Sequence, residues 1–204
     1  MTDRPSPLPN RVAPWGEILA RPERGGMMGN RGGRLHAPDF SLARASATRR
    51  WISCRLCFKG RRRQVMGAGY TELFFLDEAV ALAAGHRPCF ECRRRAARAF
   101  AEAWARAFAL PYPPRADAMD AVLAPQRRAP PAPVDPGELP PGALFRTDTA
   151  DWLAAEGRAR RWSWSGYGPA EAPPPGPAQA LTPPAIRAVL AAGYRPDLHP
   201  SATA

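Results

Sequence analysis

Lysine is nearly missing from this chain. Among its 29 basic residues only Lys59 is not an arginine, so the positive charge comes almost wholly from guanidinium groups, which stay protonated and present a planar fork of donors. Long apolar runs are missing too. No stretch of about 18 uninterrupted apolar residues occurs, which excludes a membrane-spanning helix, and the opening MTDRPSPLPN has neither the basic nor the apolar stretch of a secretory signal. The expected address is cytoplasmic, with no membrane partner. Enzyme signatures are missing as well: there is no P-loop, GxSxG elbow, HExxH pair or zinc-deaminase pattern. A metallonuclease would want clustered carboxylates beside a lysine, and Lys59 lies instead at a cysteine knuckle. These absences lean against an enzyme.

What is present is strongly biased. The 204 residues include 26 prolines and 17 glycines and carry a formal charge of +11, too biased for one uniform compact core, so part of the chain is expected as linker, and the strands and helices expected in the rest make the class α+β. The charge is not spread evenly. Residues 49–106 hold 13 basic and 5 acidic side chains, a net +8, against 16 and 13 in all the rest.

Four regions are expected from composition. Residues 1–48, with Arg24-Gly25-Gly26 and Arg31-Gly32-Gly33, look like an irregular Gly/Arg-rich arm that Trp15, Ile18 and Leu19 pin to the core. Residues 49–110 form a compact module. Trp51-Ile52-Ser53 leads into Cys54 as a short strand, with Arg61 to Met66 as its returning partner, and Tyr70 to Leu76 supplies a buried strand. Asp77 caps a short helix through Ala84 that Gly85 ends, and Arg93 to Ala109 makes a helix with Phe100, Trp104 and Phe108 on one face. Ten prolines between Pro111 and Pro141 predict an extended linker. Residues 142–204 predict a β-hairpin and helix module. Its strands run from Ala143 to Thr147, Ala150 to Ala155 and Arg158 to Trp164, the hairpin turns at Glu156-Gly157, prolines 169–177 interrupt it, and a helix capped by Thr182 closes at Gly193. Trp162, Trp164 and Tyr167 suit hairpin packing, with base stacking as the other use for such rings.

All four cysteines fall in two CxxC pairs, Cys54/Cys57 and Cys89/Cys92. A CxxC turn aims both sulfurs at one centre, and two such knuckles make the tetrahedral sulfur set that zinc prefers. Iron–sulfur or redox chemistry is the alternative use of the same pattern. Four thiolates on Zn²⁺ carry a net −2, which leaves the module still basic. Arg55, Lys59, Arg61, Arg62 and Arg63 flank the first knuckle, and Arg87, Arg93, Arg94, Arg95 and Arg98 flank or follow the second. A shared ion would gather both groups on one surface. His86, three residues before Cys89, could join the ligands but is better placed as a hydrogen-bond partner or phosphate contact, while His36 and His199 lie in loop-like contexts.

Phe74-Phe75, the helix from Asp77 to Ala84, and Gly85-His86-Arg87-Pro88-Cys89-Phe90-Glu91-Cys92-Arg93 resemble the second half of the metal-binding domain of the Ada family of bacterial DNA-alkylation repair and regulatory proteins. The likeness covers about residues 50–95. It implies a four-cysteine zinc site, DNA as partner, and a methyl group taken from a methylated DNA phosphate, with Cys54 at the acceptor position. The chain departs from the family there. Cys54 and Cys57 are separated by Arg55-Leu56 rather than by three residues with a proline, and Ile52-Ser53 stand where an aromatic is usual. The family's helix-turn-helix and Pro-Cys-His-Arg site have no counterpart. Asn30-Arg31-Gly32-Gly33 and the run Phe74 to Arg94 also resemble a bacterial family, without an assigned activity, that shares this module.

The expected function is binding of nucleic acid, DNA ahead of RNA, by arginines on a zinc-held surface. The other class is a protein–protein adaptor that docks a partner through the Pro-rich or C-terminal region around a structural zinc.

Overall fold

The computed structural model describes residues 4–61 and 64–203, and the chain is α+β with two six-stranded sheets. The first is built from β1 (Pro9–Val12), β2 (Ile18–Ala20), β3 (Met27–Asn30), β4 (Ile52–Cys54), β5 (Leu73–Phe75) and β6 (Arg87–Pro88), in the order β2-β1-β5-β3-β4-β6. Two of its pairings, β1 with β5 and β4 with β6, are parallel. The second is built from β7 (Ala132–Val134), β8 (Leu144–Arg146), β9 (Asp151–Ala155), β10 (Arg158–Ser163), β11 (Gly166–Glu171) and β12 (Ala178–Ala180), in the order β11-β10-β9-β8-β12-β7, and all its pairings are antiparallel. Four helices pack around them: α1 (Glu78–Ala83), α2 (Arg94–Ala107), α3 (Ala116–Gln126) and α4 (Pro184–Ala191).

The arm expected over 1–48 is only partly irregular: it contributes β1, β2 and β3 before residue 31, while residues 31–48 form turns and one isolated bridge. Packing requires a glycine in the middle of β3. A Cβ on Gly29 would come within 2.5 Å of both the Ile52 carbonyl and the Phe75 ring, so the strand can lie between β4 and β5 only without a side chain at that position. Trp15 does pin the segment, with its ring edge-on to Trp162 and Trp164 at 6.0 and 6.5 Å. The partners of β4 are β3 and β6. The described residues between 61 and 66 form no strand.

The segment 111–141, expected as a linker, carries α3 and β7. Its prolines sit where they cost little. Pro113 and Pro114 precede α3, Pro125 falls in its last turn, and none interrupts residues 116–124, whose Met119 and Leu123 are fully buried. Pro133 and Pro169 lie on β7 and β11, the two edge strands, where a missing N–H breaks no central ladder. Thr182 does not cap α4 with its side chain; its hydroxyl accepts from the Leu144 amide at 2.8 Å instead.

The two hydrophobic cores are each shared between the early and late parts of the chain. Phe100 and Trp104 of α2 pack with Phe145, Ile186 and Met119, while Phe75 and Val80 pack with Leu144 and Leu153. Asp77, the N-cap of α1, joins the two halves: it accepts from Val80 N at 3.0 Å, from the Tyr167 hydroxyl at 3.1 Å and from His199 N at 3.0 Å.

Candidate metal centre and arginine cleft

Parallel pairing places the cysteines. Ser53 of β4 is in register with Pro88 of β6, so Cys54 and Cys89 leave adjacent strands at the same end, and the Cys89 amide donates to the Ser53 carbonyl at 3.0 Å. The turn after Cys89 then doubles back. The Glu91 amide donates to Cys89 Sγ at 3.4 Å, the Arg93 amide to the Cys89 carbonyl at 3.0 Å, and Cys92 faces the same centre just before α2. The sulfurs of Cys54, Cys89 and Cys92 lie within 4.8 Å of one another, close enough to bind one metal ion. Cys57 is exposed and outside this group.

The three thiols compete for protons. Hydrogen bonds from Cys54 and then Cys92, with help from the Cys92 and Glu91 amides, hold Cys89 far below the ordinary thiol range. Sharing its proton with Cys89 and Cys92, together with burial, pushes Cys54 far above it. A cation bound by these sulfurs would take the place of the shared protons.

The expected basic residues divide. Arg55, Lys59, Arg61, Arg94, Arg95 and Arg98 are exposed, with Arg61 held to Glu91 at 2.6 Å. Arg87 and Arg93 point inward and do not join that surface. Arg87 makes a two-pronged pair with fully buried Asp120 at 3.1 and 2.7 Å, and Arg93 pairs with Glu78 at 2.6 and 2.7 Å and with Asp197 at 2.6 Å. Arg62 and Arg63 lie outside the described residues. His86 is wholly buried; its Nε2 accepts from Arg31 Nε at 3.2 Å and its Nδ1 meets the Ala81 carbonyl at 3.2 Å, so both nitrogens are committed away from any metal or phosphate. Trp162 and Tyr167 are buried and belong to packing.

Arg195 had no functional signal in the sequence, and Arg106 had only its helical spacing, which puts it with Arg95 and Arg98 on the face of α2 opposite the apolar stripe. Arg106 and Arg195 join Arg55 and Arg95 around a cleft of about 530 Å³ whose wall includes Cys54. They come from the end of α2 and the turn after α4, which are far apart in sequence, and the packing of α2 on α4 brings them together. Glu102 and Asp197 are the acids of that lining, and Asp197 is already taken by Arg93.

No family model, curated protein or solved structure matches the chain. The likeness to the Ada metal-binding domain therefore rests on the motif residues alone.

Proposed function

We propose that the protein binds nucleic acid through the arginine-lined cleft beside Cys54, and that zinc held by the cysteines keeps that cleft in shape. The carrying observation is the convergence of Arg55, Arg95, Arg106 and Arg195, from separate segments, on one cleft walled by a metal-competent cysteine. Zinc suits the donor set: bonds of about 2.3 Å place tetrahedral sulfurs about 3.8 Å apart, inside the 4.8 Å spread of Cys54, Cys89 and Cys92. Cys57, three residues along from Cys54 and exposed, is the fourth ligand in this proposal. The ion supplies cross-linking of β4 to the start of α2.

The arginines then act as phosphate contacts, with binding largely indifferent to base sequence. The likeness to Ada puts DNA ahead of RNA. Titration of a labelled duplex at rising salt tests this. Log affinity should fall linearly with log salt, and replacing Arg95 and Arg106 with Ala should lower the slope by about 2, roughly one for each lost phosphate contact. Binding that is weak and indifferent to salt would sink the proposal. The adaptor alternative draws on Phe108, Leu110 and Tyr112, large apolar side chains exposed just beyond α2. Co-purification of a protein partner after nuclease treatment is its signature.

A further inference from the structure

A second cleft, sharing no lining residue with the one beside Cys54, has a volume of about 900 Å³ and collects buried arginines with almost no acid to balance them. Trp51 lies at its wall with two guanidiniums against its ring. The Arg31 group sits 3.8 Å from the ring centroid and the Arg127 group 4.6 Å. Arg31 is only 2% exposed, and its donors go to neutral acceptors: His86 Nε2 at 3.2 Å, the Gly16 carbonyl at 2.8 Å and the Ala45 carbonyl at 3.4 Å.

Arg127, with its side chain 4% exposed, donates to the Gly85 and Arg49 carbonyls at 2.9 and 2.8 Å. Its Nη2 makes no hydrogen bond among the described residues and lies 3.8 Å from Asp120, a carboxylate already held in two-pronged fashion by Arg87. Arg187 adds a buried Nε that has no hydrogen-bond partner among the described residues. Among the described residues, Arg87 and Arg127 thus share one buried carboxylate, that of Asp120, and Arg31 has no carboxylate partner. Among the described residues the acid on the cleft lining is Glu17, which is exposed and bonded to Trp15.

We propose that this cleft binds a small phosphorylated molecule, with Arg31, Arg127 and Arg187 as its phosphate contacts. Unpaired cations out of water are costly, and a bound dianion offsets that cost where a neutral ligand cannot. Forked guanidinium donors match phosphate oxygens. The volume lies within the span of about 300–1,000 Å³ typical of small-ligand sites, and Pro130, Pro131 and Pro183 give apolar wall for the rest of the molecule. The same imbalance shows in acidity: burial and the charge of Arg127 bring Arg31 down to about 9, and burial brings Arg127 down to about 10.

Calorimetric titration of the full, metal-loaded chain with inorganic pyrophosphate, at matched ionic strength, tests the site. Saturable binding at millimolar affinity or tighter is expected, weakened about tenfold or more by Arg127→Gln and by Arg187→Gln. If Arg127→Gln does not fold, Arg187→Gln decides alone, since that side chain is only partly buried. Absence of saturable binding, or equal affinity in the folded variants, overturns the assignment. A second arm adds a 20-residue single-stranded oligonucleotide. If it displaces pyrophosphate in a way that depends on Arg187, the phosphate belongs to a polynucleotide and the small-ligand assignment fails.

Discussion

Arg127 lies across Gly85, its Nε donating to the Gly85 carbonyl at 2.9 Å while its Cγ occupies the space a Cβ would need, at 2.7 Å. Gly85 has φ +80° and ends α1 as a left-handed residue. Gly85→Ala therefore carries two penalties, a backbone conformation that L side chains resist and a clash that displaces Arg127. A loss of about 1–3 kcal/mol in urea unfolding is expected, together with weaker pyrophosphate binding. A variant that kept full stability and binding would show that Arg127 is not seated by this contact.

The elements that sequence alone exposed are those with local signals. Asp77, the Ala-rich stretch and Gly85 define α1 without reference to anything distant, and the Glu156-Gly157 turn joins β9 to β10 as its chemistry requires. The misread elements owe their structure to remote partners. β3 is a strand because β4 and β5 flank it, and α3 is a helix buried against α2 and α4 surroundings that a count of prolines does not reveal. The candidate site divides in the same way. The CxxC spacing points to all four cysteines, of which Cys54, Cys89 and Cys92 come together and Cys57 stays outside, while Arg31 reads as part of one of two loose RGG segments, and nothing local tells that its guanidinium is buried on Trp51.

The cysteine proposal predicts an ordered series. Cys54→Ser, Cys89→Ser and Cys92→Ser should each abolish stoichiometric zinc in the purified protein and lower its thermal stability, because the ion joins β4 to the start of α2. Cys57→Ser should weaken zinc affinity by at least about tenfold if Cys57 completes the tetrahedron. Unchanged affinity in that variant would mean a three-sulfur site with a non-cysteine fourth position. Chelator should reproduce the instability of Cys89→Ser in the native chain and add nothing to it in the variant.

Arg93 ties the cysteine turn to the rest of the molecule. It follows Cys92 directly, pairs with Glu78 of α1, and reaches Ser53 Oγ at 3.1 Å and Asp197 at 2.6 Å, while Glu78 also accepts from the Tyr194 hydroxyl at 2.7 Å. Arg93→Ala leaves Glu78 buried as an unpaired charge and should cost about 3–5 kcal/mol. Glu78→Gln removes that charge but leaves Arg93 with exposed Asp197, so its cost should be smaller. Denaturant midpoints of the two variants measure the order, and equal losses would mean that the unpaired carboxylate is not what makes the first substitution severe.

His86 gives the fold an acid-side weakness. Burial first, and then the charges of Arg31 and Arg127, hold the imidazole well below its usual range, and the acceptor role of Nε2 toward Arg31 requires the neutral ring. In the unfolded chain a histidine takes up its proton near pH 6.5. The unfolded state therefore binds the proton first as pH falls, so the contribution is complete above about pH 6.5 and is lost below it, by up to about 1.4 kcal/mol per pH unit until the folded ring itself protonates. His86→Gln has no titrating group at this position. Stability of the native chain minus that of the variant, measured at each pH with the metal state matched, should be constant from pH 8 to about 6.5 and decline toward about pH 5. The matching cancels contributions common to both proteins, such as protonation of the cysteines. A difference that stays flat over the whole interval would mean that the buried imidazole accepts a proton beside two guanidiniums, and the neutral ring assigned to it would be wrong.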